Sequence, residues 1–83
     1  MPTDDEVVEV AATAAEEAVF EYYDRSAVQD FDVTVHFVDG ELTVDVYIDA
    51  NARTQAEQDR EERAVEDAIR AAREAVDALF ESD

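Results

Sequence analysis

The strongest constraint on this chain's fold is a doublet, Asp39-Gly40, set between two runs of strict alternation. Phe31, Val33, Val35 and Phe37 alternate with polar residues before it, and Leu42, Val44, Val46 and Ile48 alternate after it. Period-two patterning on both sides of Asp-Gly predicts a β-hairpin with a two-residue type I′ turn, which needs positive φ at both turn positions. The turn then fixes the register. Val38 pairs with Glu41, and counting outward pairs Phe37 with Leu42, Val35 with Val44, Val33 with Val46 and Phe31 with Ile48. All eight apolar residues fall on one face, and a slip of one residue in either strand would turn four of them into water.

Helical signatures flank the hairpin. Thr3-x-x-Glu6 is a capping box, in which a hydroxyl and a carboxylate satisfy free amides of the first turn, so a helix is expected from about residue 4 to 24. Its inner stripe reads Val8, Ala11, Ala12, Ala15, Val19 and Tyr22, with Glu9, Glu16, Glu17 and Glu21 mostly opposite. Ser26-x-x-Gln29 marks one further turn before Phe31. Asp49 to Arg53 reads as a linker, and Thr54-x-x-Glu57 repeats the capping box for a helix over about 55–81. That helix opens almost wholly polar, then carries Val65, Ala68, Ile69, Ala72, Val76, Leu79 and Phe80, so only its later turns are expected to pack. Asp59 with Arg63 and Glu66 with Arg70 stand at the favourable i,i+4 spacing.

The expected fold is therefore α+β: one two-layer α-β-β-α domain over residues 1–83, with an antiparallel hairpin (strands about 31–38 and 41–49) covered on one face by two helices. A sheet of only two strands is marginal and leaves both edges unpaired, with neither Lys nor Pro to protect them. Pairing two hairpins edge to edge would complete a four-stranded sheet, so a homodimer is expected. The outer face of the first strand offers Asp32, Thr34, His36 and Val38; the second offers Glu41, Thr43, Asp45, Tyr47 and Asp49. Three acids facing three acids would repel, so the first strand is the candidate interface. With His36 near its symmetry mate there, dimerisation would depend on pH.

Charge sets the solvent. The chain has 24 Asp and Glu against 6 Arg, no Lys, and a net charge of -18 on 83 residues. Acid-rich chains with few apolar residues are disordered, but this one is 47% hydrophobic, has twelve Val and keeps regular periods. Molar salt shortens the Debye length to about 3 Å and removes most of the repulsion among exposed carboxylates. The composition fits a cytosolic protein of a halophile that accumulates salt. Cysteine is absent, which excludes disulfides and thiolate metal sites. Met1-Pro2-Thr3-Asp4-Asp5-Glu6 has neither the basic region nor the apolar run of a signal peptide, and no membrane span is expected; the location expected is cytoplasmic.

With that order established, the run Phe31 to Asp49, FDVTVHFVDGELTVDVYID, and the opening TDDEVVEVAATAAEEAVFEYY resemble a small archaeal family of unknown function in its haloarchaeal form. The resemblance spans nearly the whole chain and implies a single α-β-β-α domain, with no functional positions to transfer. The strand-turn-strand VDGELTVDVYI also resembles the bacterial alkaline-shock family, which implies an assembly or envelope-associated scaffold. From that pattern the chain departs by lacking a final strand after the last helix.

Candidate chemistry is sparse, and no cofactor, metal or catalytic residue is expected. His36 is the only histidine, with no H-E-x-x-H or second ligand beside it. Glu17, Glu21 and Asp24 fall in line on the first helix, yet lack the wrapped oxygen geometry of a calcium loop. Ser26 and Thr54 read as caps rather than nucleophiles. A single Gly excludes phosphate-cradling loops. Nucleic acid is disfavoured by six Arg interleaved with acids, although in molar salt net charge does not exclude it. Arg53, Arg60 and Arg63 form the least acidic patch and the candidate surface for a protein partner or RNA. The function expected is a non-enzymatic, homodimeric protein-interaction module; the alternatives are an RNA-associated accessory protein and a small enzyme using Tyr47, His36 and Asp45 on the open sheet face.

Overall fold

A computed structural model describes residues 2–81. The first helix, α1, spans Asp4–Tyr22; a single 3-10 turn follows at Arg25–Ala27; strands β1 (Asp30–Val38) and β2 (Glu41–Asp49) form an antiparallel pair; and α2 spans Gln55–Glu81. Both helices start as their capping boxes dictate. The Thr3 hydroxyl accepts from the Glu6 amide at 3.1 Å. At α2 the box is reciprocal, with the Glu57 amide donating to the Thr54 hydroxyl at 3.1 Å and the Thr54 amide donating to the Glu57 carboxylate at 3.2 Å.

The hairpin has the register the turn requires, from Val38 with Glu41 to Asp30 with Asp49. Asp39 at φ 53° and Gly40 at φ 79° supply the two positive values. Asn51 takes a third at φ 58°, and its amide donates to the Asp49 carboxylate at 3.0 Å, turning the chain out of β2. The Ala50 amide donates to the Glu61 carboxylate at 2.9 Å, which ties that exit to α2.

The helices lie on one face of the sheet, α1 over β1 and α2 over β2, and pack against each other. Ala11, Ala15 and Ala18 of α1 and Ala64, Ala68 and Ala72 of α2 are buried, so small side chains line the helix-helix seam. Val7, Val19, Val44, Ile48 and Val76 complete the core.

Four local expectations are corrected. The buried arc of α1 runs through Val7, Ala11, Ala15, Ala18 and Val19, not through Val8 and Ala12, which are partly exposed. At 3.6 residues per turn the five buried positions span about 120° of the helix circumference, facing both β1 and α2; Ala12 lies just beyond that arc, and Val8 falls inside it but is only partly covered, in the first turns of the helix. The helix ends at Tyr22 rather than near Asp24, because Tyr23 is already extended (φ -137°, ψ 146°) and Arg60 of α2 donates to the Tyr22 carbonyl. Ser26 lies inside the 3-10 turn, whose cap position is Asp24, so it is no cap. On α2, burial starts at Ala64, just after the polar opening, and Arg70 meets Asp67 at 3.4 Å rather than Glu66.

Candidate interface on the open sheet

Alternation sends Asp32, Thr34, His36 and Val38 of β1 outward, and all four are exposed. Beside them on β2 stand Glu41, Thr43, Asp45 and Tyr47, also exposed. Two large apolar side chains break this polar surface, Val38 at 62% exposure and Tyr47 at 54%. Cross-strand pairing sets His36 against Thr43, Thr34 against Asp45 and Asp32 against Tyr47. The outer face of β2 is thus the more acidic, and His36 sits on the strand with fewer carboxylates.

Among the described residues the sheet contains only these two strands, so the outer edge of each lacks a strand neighbour there. In a two-residue hairpin the closing pair exchanges both amide-carbonyl bonds, and bonded pairs alternate with non-bonded ones along the ladder. Val38 with Glu41 is the closing pair. The amides of Phe31, Val33, Val35 and Phe37 therefore point to the free edge of β1. The inward side chains of those same residues are only half-buried, whereas Val44 and Ile48 on β2 are buried. Burial is least complete along β1. Its two ends carry aromatic contacts: Phe31 against Phe20 of α1 (ring centroids 5.5 Å apart) and Phe37 against Phe80 of α2 (6.1 Å).

Arg53, Arg60 and Arg63 are all exposed, but the structure gives them different work. Arg60 donates to the Tyr22 carbonyl and stands 4.8 Å from the Tyr23 ring centroid, a cation-π contact. Arg60 and Arg63 line a shallow cleft with Tyr22, Ala56 and Asp59, and Arg53 is not part of it. Next to this cleft the Tyr22 hydroxyl donates to the Asp67 carboxylate. That hydrogen bond is the main reason the Tyr22 phenol is raised above its usual value, and burial is the main reason for Tyr23. Sequence reasoning missed this link between the end of α1 and the middle of α2. Its partners are separated by 45 and 38 residues and carry no local motif.

Tyr47, His36 and Asp45 share the outer face, but the cleft that includes Tyr47 is bounded by α2 residues such as Gln58 and Glu62 and takes in neither His36 nor Asp45. A cleft of about 660 Å³, open to solvent, lies at the turn end between Phe37, Leu42, Val76 and Phe80. Asp24 is outside α1, so the line of Glu17, Glu21 and Asp24 is broken, and among the described residues no group of three or more His, Asp or Glu is placed to hold a metal ion. No described helix is long and apolar enough to cross a membrane.

Comparison with known proteins gives a family without an assigned role. A family model described as a protein of unknown function (DUF3194) matches residues 3–79. An uncharacterized protein of the haloarchaeon Natronomonas pharaonis is 48% identical over 81 residues, covering 96% of this chain and 90% of the relative. No solved structure matches the chain.

Proposed function

Since the chain belongs to the DUF3194 family, whose function is unknown, we propose from its geometry that it is a non-enzymatic, salt-adapted interaction module of the cytoplasm, acting as a homodimer joined at the outer edge of β1. One observation carries the reading: β1 combines an unpaired edge with four inward apolar side chains left half-buried. An edge of nine residues without Lys or Pro is a template for another strand, and natural sheets seldom leave one bare. A non-enzymatic role is favoured because the only histidine is exposed on an open strand face, away from the clefts described above. Salt adaptation is favoured by the charge of -18 and the absence of Lys. A role for the Arg53, Arg60 and Arg63 surface toward RNA is less favoured, since Arg60 is already engaged with α1.

Amide hydrogen exchange in molar KCl tests the reading. The outward amides of Val33 and Val35 become protected as protein concentration rises, whereas the inward amides of Thr34 and His36, already bonded to β2, are protected throughout. Free exchange at Val33 and Val35 up to about millimolar protein would remove the edge from consideration.

A further inference from the structure

We propose that β1 pairs antiparallel with β1 of a second copy in one particular register, with the two-fold axis through Thr34 and an ion pair between His36 and the partner's Asp32 on each side of it. This rests on the homodimer reading above and adds its register and its charge code.

Three features bear on Thr34: length and side-chain chemistry select it, and backbone parity is compatible with it. The first is length: β1 runs Asp30–Val38, nine residues, and the antiparallel register that pairs all nine is centred on Thr34. The second is backbone parity. The outward amides belong to Phe31, Val33, Val35 and Phe37, so hydrogen-bonded pairs across the new interface must join odd residues to odd residues. The Thr34-centred register does this, pairing Val33 with the partner's Val35 and Phe31 with the partner's Phe37. Even residues then form the non-hydrogen-bonded pairs, in which side chains approach most closely.

Side-chain chemistry is the third. Asp32 falls opposite the partner's His36 twice by symmetry, and Thr34 falls opposite itself. No acid faces an acid in these positions. On the inner face, Phe31 opposite the partner's Phe37 joins the Phe20–Phe31 contact of one copy to the Phe37–Phe80 contact of the other, extending both aromatic clusters across the interface. Phe80, 39% exposed in the single chain, is covered in the process. His36 thus meets a carboxylate, not its own symmetry mate. The charged groups around it are Asp32 on its own strand and Glu41 and Asp45 diagonally across on β2, joined by the partner's Asp32.

The equivalent arrangement through β2 fails the same test. Full overlap of Glu41–Asp49 with itself is centred on Asp45, which puts Asp45 against the partner's Asp45 and Glu41 against the partner's Asp49 twice. Every charged pair there is repulsive. Shifting the β1 register by two residues keeps the backbone parity, but a centre at Val35 puts Asp32 opposite the partner's Val38 and loses both ion pairs, and a centre at Val33 sets Asp30 against the partner's His36 while leaving Phe37 and Val38 without a β1 partner.

The chain contains no cysteine, so single thiols report the register directly. In full-length Thr34→Cys, oxidised in molar KCl, the two thiols stand across a non-hydrogen-bonded pair, with Cα atoms about 4.5 Å apart, within disulfide reach. Thr34→Cys is expected to convert almost wholly to a covalent dimer, while Asp45→Cys stays uncrosslinked. His36→Asp is expected to raise the dimer dissociation constant about tenfold, and the exchanged pair Asp32→His with His36→Asp to restore it; circular dichroism confirms that each variant folds. Wild-type protein that sediments as a dimer while Thr34→Cys fails to crosslink overturns the register alone. Wild-type protein that remains a monomer overturns the homodimer reading beneath it, and crosslinking of Asp45→Cys moves the interface to β2.

Discussion

Lowering the salt tests the balance between charge and core. The folded chain, 44 × 20 × 19 Å, has a radius of gyration of 13.6 Å, which is that of a sphere of about 18 Å radius carrying -18 charges. An unfolded chain of 83 residues has a radius of gyration of about 28 Å, hence an equivalent sphere of about 37 Å. Coulomb self-energy with Debye screening then disfavours the compact state by about 10 kcal/mol at 0.1 M salt and about 4 kcal/mol at 1 M. The difference, about 6 kcal/mol, is as large as the whole stability expected of a domain this size, about 4 to 12 kcal/mol. Urea unfolding followed by far-ultraviolet circular dichroism, repeated from 2 M down to 0.1 M KCl, is therefore expected to show the midpoint falling steeply and the folded baseline disappearing at the low end. Potassium, sodium and choline chlorides at equal ionic strength should act alike if screening is the cause. A midpoint that stays constant across that range would refute the argument that repulsion among these carboxylates opposes folding.

Other expectations follow from particular contacts. Ala68 is fully buried, so Ala68→Leu forces extra volume into a closed space and should cost about 1 to 3 kcal/mol, whereas exposed Ala78→Leu should be near neutral. Thermal melts in molar KCl separate the two by roughly 4 to 8 °C per kcal/mol, and equal melting temperatures would show that the alanine seam is not tightly packed. Thr54→Ala removes the hydroxyl that receives the Glu57 amide and should cost about 1 kcal/mol by urea titration. Tyr22 has its pKa raised above 10.0 in the folded state, first by the hydrogen bond to Asp67, so its contribution is whole below pH 10 and is lost as pH rises through the folded value. Tyr22→Phe should accordingly flatten the alkaline loss of stability above pH 10, and a pH profile identical to wild type would show that the Asp67 link contributes nothing.

The hairpin was the most legible part of the chain because its signals are local and agree: Asp39-Gly40 demanded one turn, the turn demanded one register, and that register put all eight apolar residues on one face. Helix starts were equally readable, since Thr3 and Thr54 cap through atoms three residues away. Helix ends and helix faces were not. α1 stops at Tyr22 because a guanidinium 38 residues later takes its last carbonyl, and nothing near Tyr22 announces that. Its buried face is rotated toward Val7 because it must satisfy a strand and a second helix at once, while periodicity alone reports only that an apolar stripe exists. The alternation that defined the strands also placed Asp32, Thr34, His36 and Val38 on one open surface. What the pattern could not convey is the incomplete burial of β1 relative to β2, which depends on how far each helix covers its strand.

Sedimentation equilibrium of the unmodified chain in molar KCl, from about 1 µM to 1 mM, addresses the central claim most directly. A single reversible step from 9.3 kDa to twice that mass is expected, going no further because closing β1 on β1 uses up that edge while acids guard the other. A chain that stays at 9.3 kDa over the whole range, or one that grows without limit, would contradict it.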